Sequence, residues 1–219
     1  MTQLKSIIKR IIRMTRISTL DDNKKATSFV SFQTALPHII NRYTPDNIIE
    51  FGPGFSTELF LDNSQSHIYS YESHDKWLKK YKNFYANNSR ISIIKQNNSD
   101  DFIQSIQKDK TTLVFVDGGN RPEIIYNTSK MDNVLCVVHA AHRDDYYWSL
   151  TQFDNLVVVE PHCVVCWNGE KVTKDLADLP QDLSITSKYC TAPYRQAYQD
   201  TLMQWDKQTR AKTTKKKTA

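Results

Sequence analysis

Short apolar runs alternate with stretches of helical periodicity from about residue 45 to residue 170. The runs at 48–51, 68–71, 91–94, 112–116, 133–138, 156–160 and 162–167 have the length of strands. Those at 112–116 and 133–138 are almost continuously apolar, the pattern of strands buried on both faces, and so predict a parallel sheet covered by helices. Between the runs, Glu58 to Leu61 begin a helical pattern, and Trp77, Leu78, Tyr81 and Phe84 predict a helix over 74–85 with Trp77 in the core. A further helix opens after Asp101 and runs to Ile106, and residues 28–43 read as a helix interrupted near Pro37. Six or seven strands with intervening helices give an α/β fold: an open, doubly wound, mostly parallel sheet.

The polar residues that end these runs are the first sign of function. Ile48 and Ile49 lead into Glu50, Phe51, Gly52, Pro53 and Gly54, after which Ser56 and Thr57 open a helix. That is a strand, a tight turn and a helix start. Glycines let the backbone approach a ligand, the first helical turn offers unpaired N–H groups, and Ser56 or Thr57 fits the capping position. The next strand ends in Glu72, 20 residues after Gly52, where nucleotide-binding folds receive a ribose hydroxyl pair. Asp117 and His139 close two more strands. Ligands in such sheets bind beyond the carboxyl ends of the strands, so Glu50, Glu72, Asp117 and His139 are predicted to converge.

At these residues the chain resembles the class I S-adenosylmethionine (SAM) dependent methyltransferases. Glu50-Phe51-Gly52-Pro53-Gly54-Phe55-Ser56-Thr57 looks like their first motif and Tyr71-Glu72-Ser73 like their second. Ser56 stands where a third glycine often lies, which weakens a pyrophosphate-binding dehydrogenase reading more than a SAM reading. The resemblance implies a Rossmann-like methyltransferase fold with its last two strands antiparallel, and SAM as cofactor. It implies that Glu50, Gly52, Gly54, Ser56, Thr57, Glu72 and Ser73 surround that cofactor. Asn98 or Asp100 would meet the adenine amino group, against the alternative of a plain helix cap. The helix over 28–43 would cover the site, bringing Ser31, Gln33 and Thr34 near ligand.

Methyl transfer needs an aligned acceptor and, for a hydroxyl, removal of its proton. Asp117, His139 and His142 are the candidate bases, and an ordinary imidazole titrates near 6.5, which suits that work. The expected activity is methyl transfer to a small hydroxyl- or amine-bearing acceptor, the alternative being a catalytically inactive binding or assembly module. Metal-dependent relatives use an Asp-Asn pair where this chain has His139 and Ala140, so no magnesium site is expected. Cys163 and Cys166, three apart on a strand, point to opposite faces and do not favour zinc.

Composition narrows the partners. The chain has 219 residues, 39% hydrophobic and 24% charged, with no apolar run near the ~20 residues of a membrane span. Of 29 basic and 24 acidic residues, 11 basic and no acidic ones lie in 1–16 and 207–219, leaving residues 17–206 at a net charge of −6. An acidic body argues against specific nucleic-acid binding. Leu4, Ile7, Ile8, Ile11 and Ile12 recur at helical spacing among five cations, so residues 1–27 read as a basic amphipathic helix and hinge. Its stripe over 3–16 packs on the domain or on a second subunit, or meets a membrane surface. Residues 28–206 form the α/β domain, with a last helix over 189–205, and the Lys-rich 207–219 a disordered tail. Four cysteines at this length read as reduced thiols, which implies a cytoplasmic protein.

Overall fold

The computed structural model describes residues 26–141, 144–160 and 163–169. In chain order these form α1 (Ala26–Tyr43), β1 (Asn47–Phe51), α2 (Phe55–Asn63), β2 (His67–Glu72), α3 (Asp75–Phe84), β3 (Ile91–Lys95), a 3-10 turn (Asp101–Ser105) and β4 (Thr112–Val116). There follow α4 (Arg121–Thr128), β5 (Val134–His139), a second 3-10 turn (Asp144–Tyr146), α5 (Tyr147–Leu150), β6 (Asn155–Glu160) and β7 (Cys163–Trp167). The strands make one sheet in the order β3-β2-β1-β4-β5-β7-β6. The first five are parallel, and β7 runs antiparallel to both β5 and β6.

The unbroken apolar runs explain the layering. Side chains alternate across a strand, so a strand buried on both faces feeds two cores. Leu113, Phe115, Leu135 and Val137 point to one core with Phe32, Leu36, Ile39 and Phe60 of α1 and α2. Val114, Val116, Cys136 and Val138 point to the other, with Phe51, Tyr71, Phe102, Ile124 and Tyr146. Cys163 and Cys166 fall in different cores, as strand geometry requires. The chain leaves β1 for β2 on one side and reaches β4 on the other, so a topological switch point lies between β1 and β4.

Several local expectations are corrected. α1 is continuous through Pro37. Leu36, Ile39 and Ile40 are buried around Pro37, which itself lies at the edge of that face, so packing on the sheet outweighs the lost N–H bond. Trp77 is 42% exposed instead of core, and no residue of α3 is fully buried. No helix among the described residues is long and apolar enough to cross a membrane. The expectations for residues 1–25, for the helix over 189–205 and for the tail at 207–219 lie outside the described residues.

Candidate functional site

The turn after β1 is held from beneath by its own carboxylate. Glu50 is completely buried and accepts hydrogen bonds from three hydroxyls: Ser56 Oγ, Thr57 Oγ1 at 2.7 Å and Ser70 Oγ at 2.7 Å. Thr57 Oγ1 also accepts the Gly54 N–H at 2.9 Å, and Gly54 occupies the capping position of α2. The expected cap is corrected, because Gly54 and not Ser56 or Thr57 holds that position. The side-chain oxygens of Glu50, Ser56 and Thr57 bond to one another beneath the turn. The serine in place of a third glycine is a structural donor to Glu50.

Above this base the backbone itself forms the surface. Gly52 adopts a φ of +82, where L side chains are strained, and its N–H donates to Tyr71 O at 2.9 Å, tying the turn to the end of β2. At Gly118, after β4, an added Cβ would lie 2.8 Å from Phe51 O, so the β1 and β4 loops touch only because that atom is missing. A Cβ at Gly54 would meet nothing nearer than Gly52 O at 3.9 Å, so the space beside this glycine is open.

Glu72 stands at the tip of β2, 8% exposed, and its Oε1 accepts the His74 N–H at 2.8 Å. Lys95 at the end of β3 braces the same loop, donating to Ser73 O and Asp75 Oδ1, both at 2.6 Å. Glu72 and Ser73 line a cavity of about 340 Å³ with Gly52, Gly118, Trp77 and Tyr81. A second, larger lobe of about 1060 Å³ shares Ser73, His74 and Gly119 with it and extends past Gln96, Asn98 and Asp100 to Tyr126 and Trp148. Asp101 pins this loop: its carboxylate accepts the Asn97 and Asn98 N–H groups at 2.6 and 2.9 Å and Asn98 Nδ2 at 3.3 Å. Those bonds, the Asn98 N–H foremost, hold its carboxyl below the usual range.

Asp117, just past β4, and His139, at the end of β5, meet there, Asp117 Oδ1 lying 2.8 Å from His139 Nδ1. Phe32 of α1 stands edge-on to the imidazole, ring centroids 5.0 Å apart. Ala140, with a φ of +56, turns the chain sharply away just after His139. Arg121, four residues beyond Asp117, donates from Nη2 to Asp117 O, sits 3.3 Å from Asp117 Oδ1, and reaches His139 O with Nη1 at 3.5 Å. His142 lies outside the described residues.

Gln96 and Arg121 border the candidate site without having been singled out in the sequence. Gln96 is the first residue after β3, only 7% exposed, and its amide packs against Gly119, where an added Cβ would lie 2.8 Å from Oε1. Both residues line the larger lobe. A polar residue at a strand end was the available signal in that case. Arg121 offered only its spacing from Asp117. No group of three His, Cys, Asp or Glu side chains among the described residues is placed to hold a metal ion.

The buried Glu50 has a consequence for stability. Burial, with Asp117 nearby adding to it, raises its carboxyl to about 7 from 4.5, against the lowering effect of the three hydroxyls. A raised carboxyl keeps its proton in the folded state after the unfolded chain has lost it, so stability falls as pH rises from about 4.5 to about 7, by on the order of 3 kcal/mol. His67, whose imidazole is lowered chiefly by burial, acts in the opposite direction. Glu50→Gln isolates the first effect. The wild-type urea midpoint should drop relative to the variant's between about pH 5 and about pH 8, and parallel curves would show that Glu50 keeps an ordinary carboxyl.

No family model matches the sequence, and no curated protein matches it. Among solved structures, the SAH-bound methyltransferase PaMTH1 of Podospora anserina is similar over 73% of this chain and 87% of its own, with a TM-score of 0.51 and 13% sequence identity. A methyltransferase-like protein from Silicibacter pomeroyi covers 69% of this chain and 94% of its own, with a TM-score of 0.47 and 14% identity. Sheet order, antiparallel closing pair and the first of these likenesses agree: the chain has the Rossmann-like fold of the class I SAM-dependent methyltransferases.

Proposed function

We propose that the protein binds SAM in the cleft above β1, β2 and β4 and transfers its methyl group to a small hydroxyl- or amine-bearing acceptor. The observation that carries this reading is the convergence of three features at the strand ends: a bare glycine turn, a cavity-lining carboxylate at Glu72, and the Asp117–His139 pair. The site suits the cofactor by its own geometry. Open space beside Gly54 would admit a ligand against the backbone, Glu72 would accept the two ribose hydroxyls from the wall of the smaller cavity, and the Asn98 and Gln96 side chains at the larger lobe would be amide partners for a purine. Ser73 and Asp100 line the same cleft from its two ends.

When bound, the sulfonium supplies an electrophilic methyl group that needs no acid catalyst to leave. What the chain must add is alignment and proton removal. The hydrogen bond from Nδ1 to Asp117 fixes the orientation of His139 and makes Nε2 the basic nitrogen, and the carboxylate stabilises the imidazolium once it has taken the acceptor's proton. Arg121 is a positioning residue, since its guanidinium bridges the backbones of both strand ends and limits movement of one relative to the other. Such a pair favours a hydroxyl acceptor, which must lose a proton as it is methylated.

Incubation with methyl-labelled SAM and a panel of small alcohols, phenols and amines tests the proposal. Label should appear in a hydroxyl compound with formation of S-adenosylhomocysteine. Tight SAM binding with no transfer to any member, or to an extract of metabolites, would favour the inactive binding module.

A further inference from the structure

The larger lobe of the cleft holds more than the cofactor reading uses. At about 1060 Å³ it lies at the top of the roughly 300–1,000 Å³ range of pockets that hold one whole small ligand, and a purine between Gln96 and Asn98 would take up only its inner end. The outer end is built by α4 and α5. Asn120, Glu123 and Asn127, three and four residues apart, bring one face of α4 to the lobe, and Tyr126 and Trp148 close it as a pair of rings 5.4 Å apart. Ser99 ties the opposite wall to α4, its hydroxyl donating to Glu123 Oε2 at 2.8 Å and its carbonyl accepting Asn127 Nδ2 at 3.3 Å. The two walls are thus held together by the protein's own bonds.

The lining chemistry narrows the ligand. Asp100 and Glu123 border the lobe and, among the described residues, no lysine or arginine does, so an anion would meet repulsion without a compensating cation. Amides and hydroxyls dominate the walls, and an apolar molecule would leave them without hydrogen bonds. An organic cation would seek the aromatic rings, but Lys130 Nζ already lies 4.1 Å from the centre of the Tyr126 ring. A neutral molecule rich in hydroxyls remains. A hydroxyl both donates and accepts, as an amide does, and the Asn97 and Asn120 side chains make no hydrogen bond among the described residues. Tyr126 and Trp148, 37% and 36% exposed, put apolar surface at the same end, which suits the C–H face of a sugar ring better than an open-chain polyol. We propose that the outer end of this lobe binds a neutral saccharide, with its hydroxyls on Asn120 and Glu123 and one face of its ring against Trp148. Asp117 and His139 are not among the residues lining this lobe, so the saccharide is a second ligand beside the cofactor and its binding does not rest on methyl transfer.

The test is binding of the full chain to an array of neutral oligosaccharides, followed by isothermal titration of the strongest array ligand and of sialyllactose, spermidine and sorbitol as controls. A neutral oligosaccharide should bind and the controls should not. Trp148→Ala should weaken that binding at least about tenfold, the loss expected for an aromatic anchor, and Asn120→Ala about fivefold, the loss of one neutral hydrogen bond. The Asn120 side chain is exposed and caps nothing, so that variant should melt as wild type does. Saturating S-adenosylhomocysteine should leave the saccharide affinity unchanged. A chain that takes the saccharide but not SAM would fail the cofactor reading and leave this one standing. The proposal is overturned if no neutral oligosaccharide binds, if S-adenosylhomocysteine displaces it, or if both variants keep wild-type affinity. Binding of sorbitol, spermidine or sialyllactose as tight as that of any neutral oligosaccharide would assign the lobe to a polyol, a cation or an anion, and overturn it equally.

Discussion

His139→Ala should slow methyl transfer to a hydroxyl acceptor by about 100-fold to 10,000-fold, the usual contribution of a positioned general base, while leaving the affinity for SAM close to wild type. The imidazole is buried beneath Phe32 and bonded to Asp117, so alanine also leaves a void. His139→Asn separates the two effects. Its amide nitrogen can replace Nδ1 toward Asp117 and keep the loop in place, but it cannot take a proton. Both variants should therefore lose transfer to a similar degree, with the asparagine variant melting nearer to wild type. Retained activity in the asparagine variant would remove His139 from the chemistry. Asp117→Asn should fall between these and wild type, because it weakens the support of the imidazolium without removing the base.

Glu72→Ala should weaken SAM binding by at least about 100-fold. A carboxylate that accepts two ribose hydroxyls makes two charge-assisted hydrogen bonds, each worth about 1.5–3 kcal/mol. Among the described residues Glu72 Oε1 takes only the His74 N–H, so the fold should lose little. Glu72→Gln keeps one acceptor oxygen and should lose less affinity than alanine. Isothermal titration reads both, and equal affinity in all three proteins would show that the ribose does not meet Glu72.

The sheet was legible in the sequence because strands buried on both faces cannot hide their composition: Leu113 to Val116 and Val134 to Val138 have no polar position to confuse with a surface strand. Strand ends were legible for the same reason, since Glu72, Asp117 and His139 interrupt those runs abruptly. The partnerships of polar groups were not legible. Glu50, Ser56, Thr57 and Ser70 form one buried cluster from two strands and a helix, and no local pattern says that a serine 20 residues away will use the carboxylate. The sequence shows these as polar residues of one turn and the strand beside it, without showing that they bond to one another. Trp77 misled in the other direction. Its helical spacing with Tyr81 and Phe84 is real, yet the side that α3 turns inward runs through the half-buried Leu78 toward Tyr85, the buried residue just past its end, about a quarter turn away. Pro37 was read by local propensity, which lost to the burial of Leu36, Ile39 and Ile40 on either side of it.

Gly118 and Gly119 show the same limit from the backbone side. Their sequence marks a turn after β4, but only the folded chain shows that Gly118 lets the β4 loop rest on the Phe51 carbonyl and that Gly119, at a φ of +68, sits against the Gln96 amide. These contacts bring the ends of β1, β3 and β4 close enough to share one cleft.

Titration of the purified protein with SAM tests the central claim most directly. The account predicts saturable binding of one molecule per chain, competition by S-adenosylhomocysteine at the same site, and loss of the signal in Glu72→Ala. No heat at millimolar ligand, or binding that Glu72→Ala leaves unchanged, would contradict it.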